Sequence, residues 1–349
     1  MRAFVIDGPR EGSVREVPEP TPGTGQVVIA VDRVGVCGTD VEFFRGTQPY
    51  FATGGARYPL RIGHEWCGRV VRAGAGVDPA WLDARVTGDT MLGCQACPLC
   101  HSGRQHVCEN RSEVGVLNGW HGALADELLM PVTAIHRLPA SMSDGLGALV
   151  EPASLSLRCV ETLGLAAGES LLVWGAGAIG LLATAFAVAA GVEVDVVGRS
   201  AGSLELARQL GAARVFSADE GGGLALVGAA APSACYRGAI AASPVAAAPQ
   251  HCLDRLQPGG HLVMVGISGD PSLLEARELI ARDLTISALL SGSPTFARAI
   301  DLLASGAVDA EPLIGAVIGL DDLAAVLGGA NLPDGARRGN GPKIQVAMR

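Results

Sequence analysis

A strand-like run that leads into closely spaced glycines constrains the fold of this chain more than any other feature. Leu171–Trp174 is apolar, Gly175, Gly177 and Gly180 follow it, and the apolar run Ile179–Ala190 overlaps the last glycine. Glycine permits a tight turn and a close approach of two backbones, so the pattern predicts a strand, a turn and a buried helix. Because a strand that leads into a helix is typical of βαβ units, we predict a parallel sheet.

The same turn has the features of a dinucleotide-binding site. A glycine-rich turn lets the backbone approach a pyrophosphate, and the N-terminus of the following helix favours its negative charge. A G-x-G-x-x-G motif alone is weak evidence, but the strand before it and the helix after it supply the required context. The sequence therefore predicts a Rossmann domain whose cofactor contacts include Gly175, Gly177, Ala178, Ile179 and Gly180.

The end of the second predicted strand bears on which cofactor binds. In NAD sites an acidic residue about 20 positions after the glycines normally binds the ribose 2′-hydroxyl. Asp195 lies inside the strand Val194–Val197, too early for that role, and Gly198, Arg199 and Ser200 follow. Glycine leaves room, while a guanidinium and a hydroxyl suit a 2′-phosphate. We therefore predict NADP in preference to NAD; the alternative is that Arg199 is a solvated surface charge.

The predicted elements change in character along the chain and indicate two domains. The first 150 residues are rich in strands, whereas strands and helices alternate from Glu151 onward. A chain of 349 residues also exceeds the roughly 250–300 residues at which single cores stop growing. The predicted strands are Arg2–Ile6, Gln26–Val36, Glu65–Ala73, Ser170–Trp174, Val192–Val197, Arg214–Ser217, His261–Gly266 and Lys343–Met348. The predicted helices are Ser154–Leu163, Ser203–Leu210, Pro294–Ala304 and Asp321–Leu327.

Charge and hydropathy exclude several classes of function. The formal charge of −9 and the pI near 5.3 argue against nucleic acid or an anionic membrane as the main partner. The longest apolar run, Ile179–Ala190, is shorter than the roughly 18 residues that a membrane span requires. Met1–Pro9 lacks an apolar signal segment. We expect a cytoplasmic protein with no membrane segment.

Four of the nine cysteines form a dense cluster with the spacing C-x2-C-x2-C-x7-C. Disulfides are rare in the cytoplasm, so clustered thiols there favour a metal. Four thiolates suit tetrahedral zinc and leave no open position, which is typical of a structural site. An iron–sulfur cluster is possible on ligand type, but the spacing fits it less well. The predicted ligands of this structural zinc are Cys94, Cys97, Cys100 and Cys108.

Two short upstream segments concentrate the residues of a second metal site. Catalytic zinc needs about three protein ligands and one exchangeable position for water or substrate. Cys37, His64 and either Glu65 or Glu151 meet that requirement, although each alone is weak evidence. Thr39 lies close enough to Cys37 in sequence for its hydroxyl to carry the proton of a bound alcohol outward.

Asp40 is a candidate acceptor for the ring of His64, which it would orient toward the metal. For Thr39 and Asp40 alike, local hydrogen bonding within a turn is the alternative interpretation.

These segments together resemble the zinc-containing medium-chain dehydrogenases over essentially the whole chain. Within that family the chain is most similar to the polyol branch of sorbitol, threonine and glucose dehydrogenases. Glu65 directly follows His64, and Glu151–Pro152 stands where the alcohol dehydrogenases carry a cysteine ligand. The matching segments are GVCGTD (35–40), GHE (63–65), the four-cysteine lobe (94–108), EPASLSL (151–157), WGAGAIGLL (174–182) and LQPGGHLVMVG (256–266).

The resemblance implies further site residues. Cys37 and His64 would be firm zinc ligands, with Glu65 and Glu151 alternating as direct or water-mediated ones. The run CGTDVE (37–42) and Gly198–Arg199 resemble the corresponding segments of NADP-linked glucose dehydrogenases. The chain departs from sorbitol and threonine dehydrogenases at Glu42, where those enzymes usually carry a histidine. Gly266 and Ser291 would contact the cofactor, and Glu113 and His121 (in GWHG, 119–122) would contact substrate.

The resemblance also implies a domain plan and an activity. An α/β chain would fold as a GroES-like β-rich catalytic domain (1–149 and 293–349) around a Rossmann domain (150–292), with the active site in the cleft. The expected protein is a homodimer or homotetramer with two zinc ions per chain. It would transfer hydride between a secondary alcohol (polyol, sugar or related hydroxy compound) and NADP, with the alkoxide formed on zinc. Alternatives are a simple NAD-linked alcohol dehydrogenase or ketone reductase, or a non-catalytic zinc and nucleotide sensor.

Overall fold

The structure is a computed structural model that describes residues 1–218, 236–333, 336, 339 and 341–348. Part of a glycine-rich stretch at 328–341, which the sequence predicts as a surface loop, therefore lies outside the described residues. The strands are β1 (Arg2–Gly8), β2 (Glu11–Glu16), β3 (Gln26–Val36), β4 (Glu65–Ala73), β5 (Arg85–Gly88), β6 (Met91–Leu92), β7 (Ser112–Glu113), β8 (Glu127–Pro131), β9 (Ile135–Arg137), β10 (Ser170–Trp174), β11 (Glu193–Gly198), β12 (Arg214–Ser217), β13 (Tyr236–Ala241), β14 (Leu256–Met264), β15 (Thr285–Ala288), β16 (Ile314–Gly319) and β17 (Lys343–Ala347). The described helices are α1 (Gly38–Arg45), α2 (Tyr50–Thr53), α3 (Pro98–His101), α4 (Asp144–Leu163), α5 (Ala178–Ala189), α6 (Ala201–Gln209), α7 (Ala248–Leu253), α8 (Ala276–Ala281), α9 (Phe296–Ala304) and α10 (Leu323–Leu327).

One layer of the molecule is a six-stranded parallel sheet in the order β12-β11-β10-β13-β14-β15. In order of appearance along this part of the chain, that arrangement is 3-2-1-4-5-6, the order of a Rossmann fold. Leu171, Leu172 and Val173 of β10 are fully buried, because the central strand of a parallel sheet is covered on both faces. The predicted parallel sheet is confirmed.

A second sheet of seven strands joins the two ends of the chain. Its order is β16-β17-β3-β4-β5-β9, and β8 also pairs with β3. β17 runs antiparallel to β3, with Ile344 opposite Val36, so the C-terminal strand lies on the N-terminal sheet. β3 and β4 are also antiparallel, with Gly35 opposite Glu65. The end of β3 therefore lies beside the start of β4.

Helix α4 starts ten residues before the predicted Ser154, at Asp144. Pro152 suggests a helix boundary, since proline lacks an N–H and crowds the preceding turn. In the structure Pro152 lies inside the helix. The helix begins eight residues before this proline, and the Ser143 hydroxyl caps its first turn by accepting the Leu146 N–H at 3.1 Å. Burial of most of the helix between β4 and α5 offsets the cost of the proline. The predicted boundary at 149/150 thus falls within α4.

Most other elements match the predicted bounds within a few residues. The exception is β14, which starts at Leu256, five residues before the predicted strand at His261. Within β14 the pairing with β13 shifts register between the pairs Tyr236–Leu256 and Gly238–His261. Among the described residues, no helix is both long and apolar enough to cross a membrane.

Two glycines of the predicted cofactor turn pack too closely for any side chain. A Cβ on Gly180 would overlap the carbonyl oxygen of Gly175. We expect Gly180→Ala to lower the free energy of unfolding by about 1–3 kcal/mol, as overpacking does elsewhere. Differential scanning calorimetry measures the change. Gly269→Ala is the matched control, because no atom lies within 4 Å of its added Cβ; an equal loss in both variants would contradict the packing argument.

Candidate active site

Cys37, His64 and Glu65 converge where β3 ends and β4 begins. Cys37 follows β3 and is the N-cap of α1, while His64 directly precedes β4 and Glu65 opens it. One side-chain ligand atom from each of the three lies within 4.8 Å of the others. The antiparallel pairing of β3 and β4 produces this convergence, although the residues are far apart in sequence.

Asp40 holds the two ligand-bearing segments together. Its fully buried carboxylate accepts the backbone N–H of Cys37 at 2.8 Å and of Gly63 at 3.2 Å. The Oδ1 atom lies 3.8 Å from Nδ1 of His64, a buried nitrogen with no hydrogen-bond partner in the described part of the chain. Burial raises the pKa of Asp40. This geometry suits the predicted orientation of His64 by Asp40.

The electrostatic field at His64 favours a cation. Burial lowers the pKa of His64, but Asp40, Cys37 and Glu151 raise it, and the net pKa lies well above the ordinary value. A thiol, an imidazole and a carboxylate are also the donors that zinc prefers. The residues present therefore fit a zinc ion.

The Glu65 carboxylate is bound by a lysine that the sequence analysis missed. Nζ of Lys343, in β17, donates to both Glu65 oxygens at 2.7 and 2.6 Å and to the Val36 carbonyl at 3.2 Å. Both side chains are almost fully buried. Gly35 makes room for the pair, because a Cβ there would collide with the Glu65 carboxylate. Glu65 thus lies in the ligand cluster with an ammonium ion bound to it.

Glu151 approaches the cluster from α4. Its Oε1 lies 3.5 Å from the hydroxyl of Thr90, which also lies 3.5 Å from the His64 carbonyl. Burial raises the pKa of Glu151 to about 7, with a smaller contribution from Glu65. The Thr90 hydroxyl therefore lies between α4 and the segment that carries His64. No motif in the sequence indicates this role of Thr90. Thr39 is half-buried, with Oγ1 4.0 Å from Sγ of Cys37.

The four clustered cysteines bring their sulfur atoms together on a separate lobe. Cys94 and Cys100 sulfurs are 4.0 Å apart, and Cys97 and Cys108 sulfurs are 3.7 Å apart. All four lie within 4.8 Å of one another. Zinc–sulfur bonds of about 2.3 Å in a tetrahedron require sulfurs about 3.8 Å apart, whereas a disulfide requires about 2 Å. The lobe therefore fits a zinc ion.

The cofactor turn has the geometry that its glycines predict. Gly175 adopts φ +120°, a conformation that glycine tolerates, and Gly177 is the exposed N-cap of α5. Ala178 and Ile179 open that helix, so backbone N–H groups face the turn. Gly266 packs against the backbone of Ser243 and leaves no space for a Cβ.

Ser291 is buried at the start of the segment that leads to α9. Its carbonyl accepts a hydrogen bond from Arg158 at 2.6 Å, and its hydroxyl lies 2.8 Å from that of Ser293. Its side chain therefore already has a partner within the chain.

The polar residues at the end of β11 differ in their exposure to solvent. Asp195 is buried, accepts two bonds from Arg214 at 3.0 and 2.6 Å, and accepts the Tyr236 hydroxyl at 2.5 Å. Its carboxylate is therefore committed to internal contacts. Arg199 is exposed, and Ser200 caps α6 by accepting the Ser203 N–H at 3.3 Å.

The two predicted substrate contacts lie in different surroundings. Glu113 is buried, and its Oε1 accepts Arg111 at 2.8 Å and the Tyr50 hydroxyl at 3.4 Å. His121 is exposed at the rim of a small cavity beside Arg61. Glu42 is also exposed, and its carboxylate accepts the Gln48 amide at 3.2 Å.

Comparison with known proteins agrees with this architecture. Residues 23–140 match the family "Alcohol dehydrogenase GroES-like domain", and residues 178–305 match "Zinc-binding dehydrogenase". L-galactonate-5-dehydrogenase of Escherichia coli K12 is 31% identical, and the match covers 90% of each chain. Sorbitol dehydrogenase of Halalkalibacterium halodurans is 29% identical over 86% of this chain and 87% of its own.

A solved zinc-binding dehydrogenase of Sinorhizobium meliloti 1021, bound to NADP, is 28% identical with a TM-score of 0.88 over 99% of each chain. The chain belongs to the zinc-dependent medium-chain dehydrogenase family, in its polyol branch, and is an enzyme of the dehydrogenase class. The expected fold class, a GroES-like domain with a Rossmann domain, is confirmed.

The buried pair of Lys343 and Glu65 yields a stability prediction. Lys343→Met leaves an unpaired buried carboxylate, so we expect the free energy of unfolding to fall by about 3–5 kcal/mol. Lys343→Met combined with Glu65→Gln should recover part of that loss, because neither position of the pair then carries a charge. The surface pair Arg208–Glu205 is the control: Arg208→Met should cost under about 1 kcal/mol. Chemical denaturation measures all four proteins, and equal losses for Lys343→Met and Arg208→Met would disprove the expectation.

Proposed function

We propose that the chain transfers hydride between a secondary alcohol (polyol, sugar or related hydroxy compound) and NADP at a zinc held by Cys37, His64 and a glutamate. The convergence of Cys37, His64 and Glu65 within 4.8 Å carries the proposal. Glu65 and Glu151 are the two candidates for the carboxylate ligand. The names of the curated relatives, a galactonate and a sorbitol dehydrogenase, support a hydroxylated substrate.

The residues around the metal have distinct tasks. Zinc, when bound, lowers the pKa of an alcohol that occupies its open position. Thr39, whose hydroxyl is 4.0 Å from the Cys37 sulfur, accepts the alcohol proton and passes it outward. Asp40 orients the His64 ring and stabilises positive charge there. With the nicotinamide bound, it would accept the hydride of the carbinol carbon as the oxygen loses its proton, and the alcohol would become a ketone.

We further propose that residues 1–149 and 293–349 form the catalytic domain around a nucleotide domain at 150–292. Pairing of β17 with β3 supports this division. A homodimer or homotetramer is also proposed, since β15 lies at the edge of the parallel sheet and Leu273 and Ile280 nearby are more than 80% exposed.

Each of the two proposed zinc sites should be removable without loss of the other zinc ion. We expect the wild-type chain to hold two zinc ions and Cys37→Ser and Cys97→Ser to hold one each. Cys37→Ser should abolish turnover with alcohols and leave NADPH binding intact, because the cofactor turn is on the other sheet. Zinc is counted by mass spectrometry, and NADPH binding by fluorescence. Unchanged turnover in Cys37→Ser would refute the assigned ligand.

Arg199 and Ser200 support the proposed preference for NADP. An exposed guanidinium next to a helix N-terminus suits a 2′-phosphate, and charge-assisted hydrogen bonds contribute about 1.5–3 kcal/mol. We expect Arg199→Gln to lower kcat/KM for NADP about tenfold or more relative to NAD. Arg208→Gln is the control, because Arg208 lies on the same helix but near its other end. An unchanged cofactor ratio in Arg199→Gln would show that another group selects the cofactor.

A further inference from the structure

A small cavity next to the segment that precedes His64 has two arginines and a histidine in an otherwise largely apolar lining. Arg57, Arg61 and His121 line it together with Gly115, Gly119 and Trp120, and its volume is about 60 Å³. That volume holds several water-sized groups, hence a carboxylate or a phosphate. Among the described residues, no Asp or Glu contributes to its lining.

The backbone places two of these side chains next to each other. The Gly122 N–H donates to the Arg61 carbonyl at 2.9 Å, so His121 and Arg61 lie on neighbouring stretches of chain. Gly119 adopts φ +72° and has no atom within 4 Å of where a Cβ would stand, which leaves the mouth of the cavity open.

The positive charge in the cavity has no counter-ion within the described residues. Neither Arg57 nor Arg61 forms an ion pair with a carboxylate in the part of the chain that the structure describes. Partial burial lowers the pKa of Arg61. His121 is exposed at the rim, but the covered part of its ring and the charge of Arg61 lower its pKa to about 4. His121 is therefore neutral near pH 7 and offers an N–H donor. A half-buried guanidinium without a partner is costly, and an anion would remove that cost.

The cavity adjoins the segment that carries His64. A Cβ on Gly115, in its lining, would lie 3.0 Å or less from the backbone N and O of Gly63. Arg61 precedes His64 by three residues, so their Cα atoms are at most about 11 Å apart. The cavity and the proposed zinc ligand are therefore carried by the same short segment of chain.

We propose that this cavity binds the anionic group of the substrate, a carboxylate or a phosphate carried at one end of the hydroxylated chain. Paired guanidinium groups recognise both anions through parallel N–H bonds. The proposal rests on the proposed dehydrogenase function and specifies its substrate class as hydroxy acids or sugar phosphates rather than neutral polyols.

The test compares an aldonate with the alditol of the same configuration, using the zinc-loaded enzyme. We expect the wild type to have at least a tenfold higher kcat/KM for the acid and Arg61→Gln to bring the ratio close to one. Arg61→Lys should keep much of the preference, and Arg277→Gln, which removes an exposed charge on α8, should keep all of it. An absent preference in the wild type, or equal ratios in Arg61→Gln and Arg277→Gln, overturns the proposal.

A binding measurement separates this proposal from the proposed activity. With the cofactor site saturated by NADPH, inorganic phosphate should raise the Tm of the wild type and of Arg277→Gln but not of Arg61→Gln, because a ligand stabilises the state that it binds. Phosphate should also compete with the acid substrate. Competition identifies a substrate subsite, whereas phosphate binding without competition overturns that assignment. If no alcohol reacts with either cofactor, the proposed function fails, and the Tm shift alone then decides whether the cavity binds anions.

Discussion

The buried carboxylate of Asp40 is the interaction on which the metal site depends. It joins the N-cap of α1 to the residue before His64 through two backbone N–H bonds, and it faces the unpartnered Nδ1 of His64. A buried carboxylate without such partners would be expensive, so the three contacts and the carboxylate stabilise one another. The separation of Cys37 from His64 is therefore set by Asp40 as well as by the pairing of β3 with β4.

Helix α4 connects this metal site to the cofactor sheet. It contacts β3, β4 and β5 of the seven-stranded sheet and also α5 and β14, and it carries Glu151 toward His64. Because one continuous helix contacts both sheets, the position of Glu151 and the position of the glycine turn are coupled through a rigid element. Pro152 lies inside that element, so the segment that resembles a domain boundary in sequence is a structural link between the domains.

Local pattern was sufficient to predict the sheet, the glycine turn and the cysteine lobe. β3, β4, β10 and β12 have the predicted bounds, because alternation or continuous burial of apolar residues is a local property. Lys343 was not predictable in this way, since it binds Glu65 across 278 positions of chain through strand pairing. Thr90 and the burial of Asp195 against Tyr236 likewise depend on tertiary contacts. The sequence predicted that Asp195 lies inside its strand, but it did not predict the hydrogen-bond partners of the carboxylate.

The distribution of charge around the site bears on what kind of alcohol it can accept. The chain carries a net charge of −9, so its long-range field repels an anion. At the metal site itself Lys343 pairs with Glu65, and a bound zinc would add further positive charge. Arg57 and Arg61 form a local exception three to seven residues before His64 in the sequence, where no carboxylate lines the cavity. A substrate with a negative group at one end would be oriented by these arginines. Its anionic end would be attracted to them, which leaves a hydroxyl-bearing carbon to approach the zinc ligands.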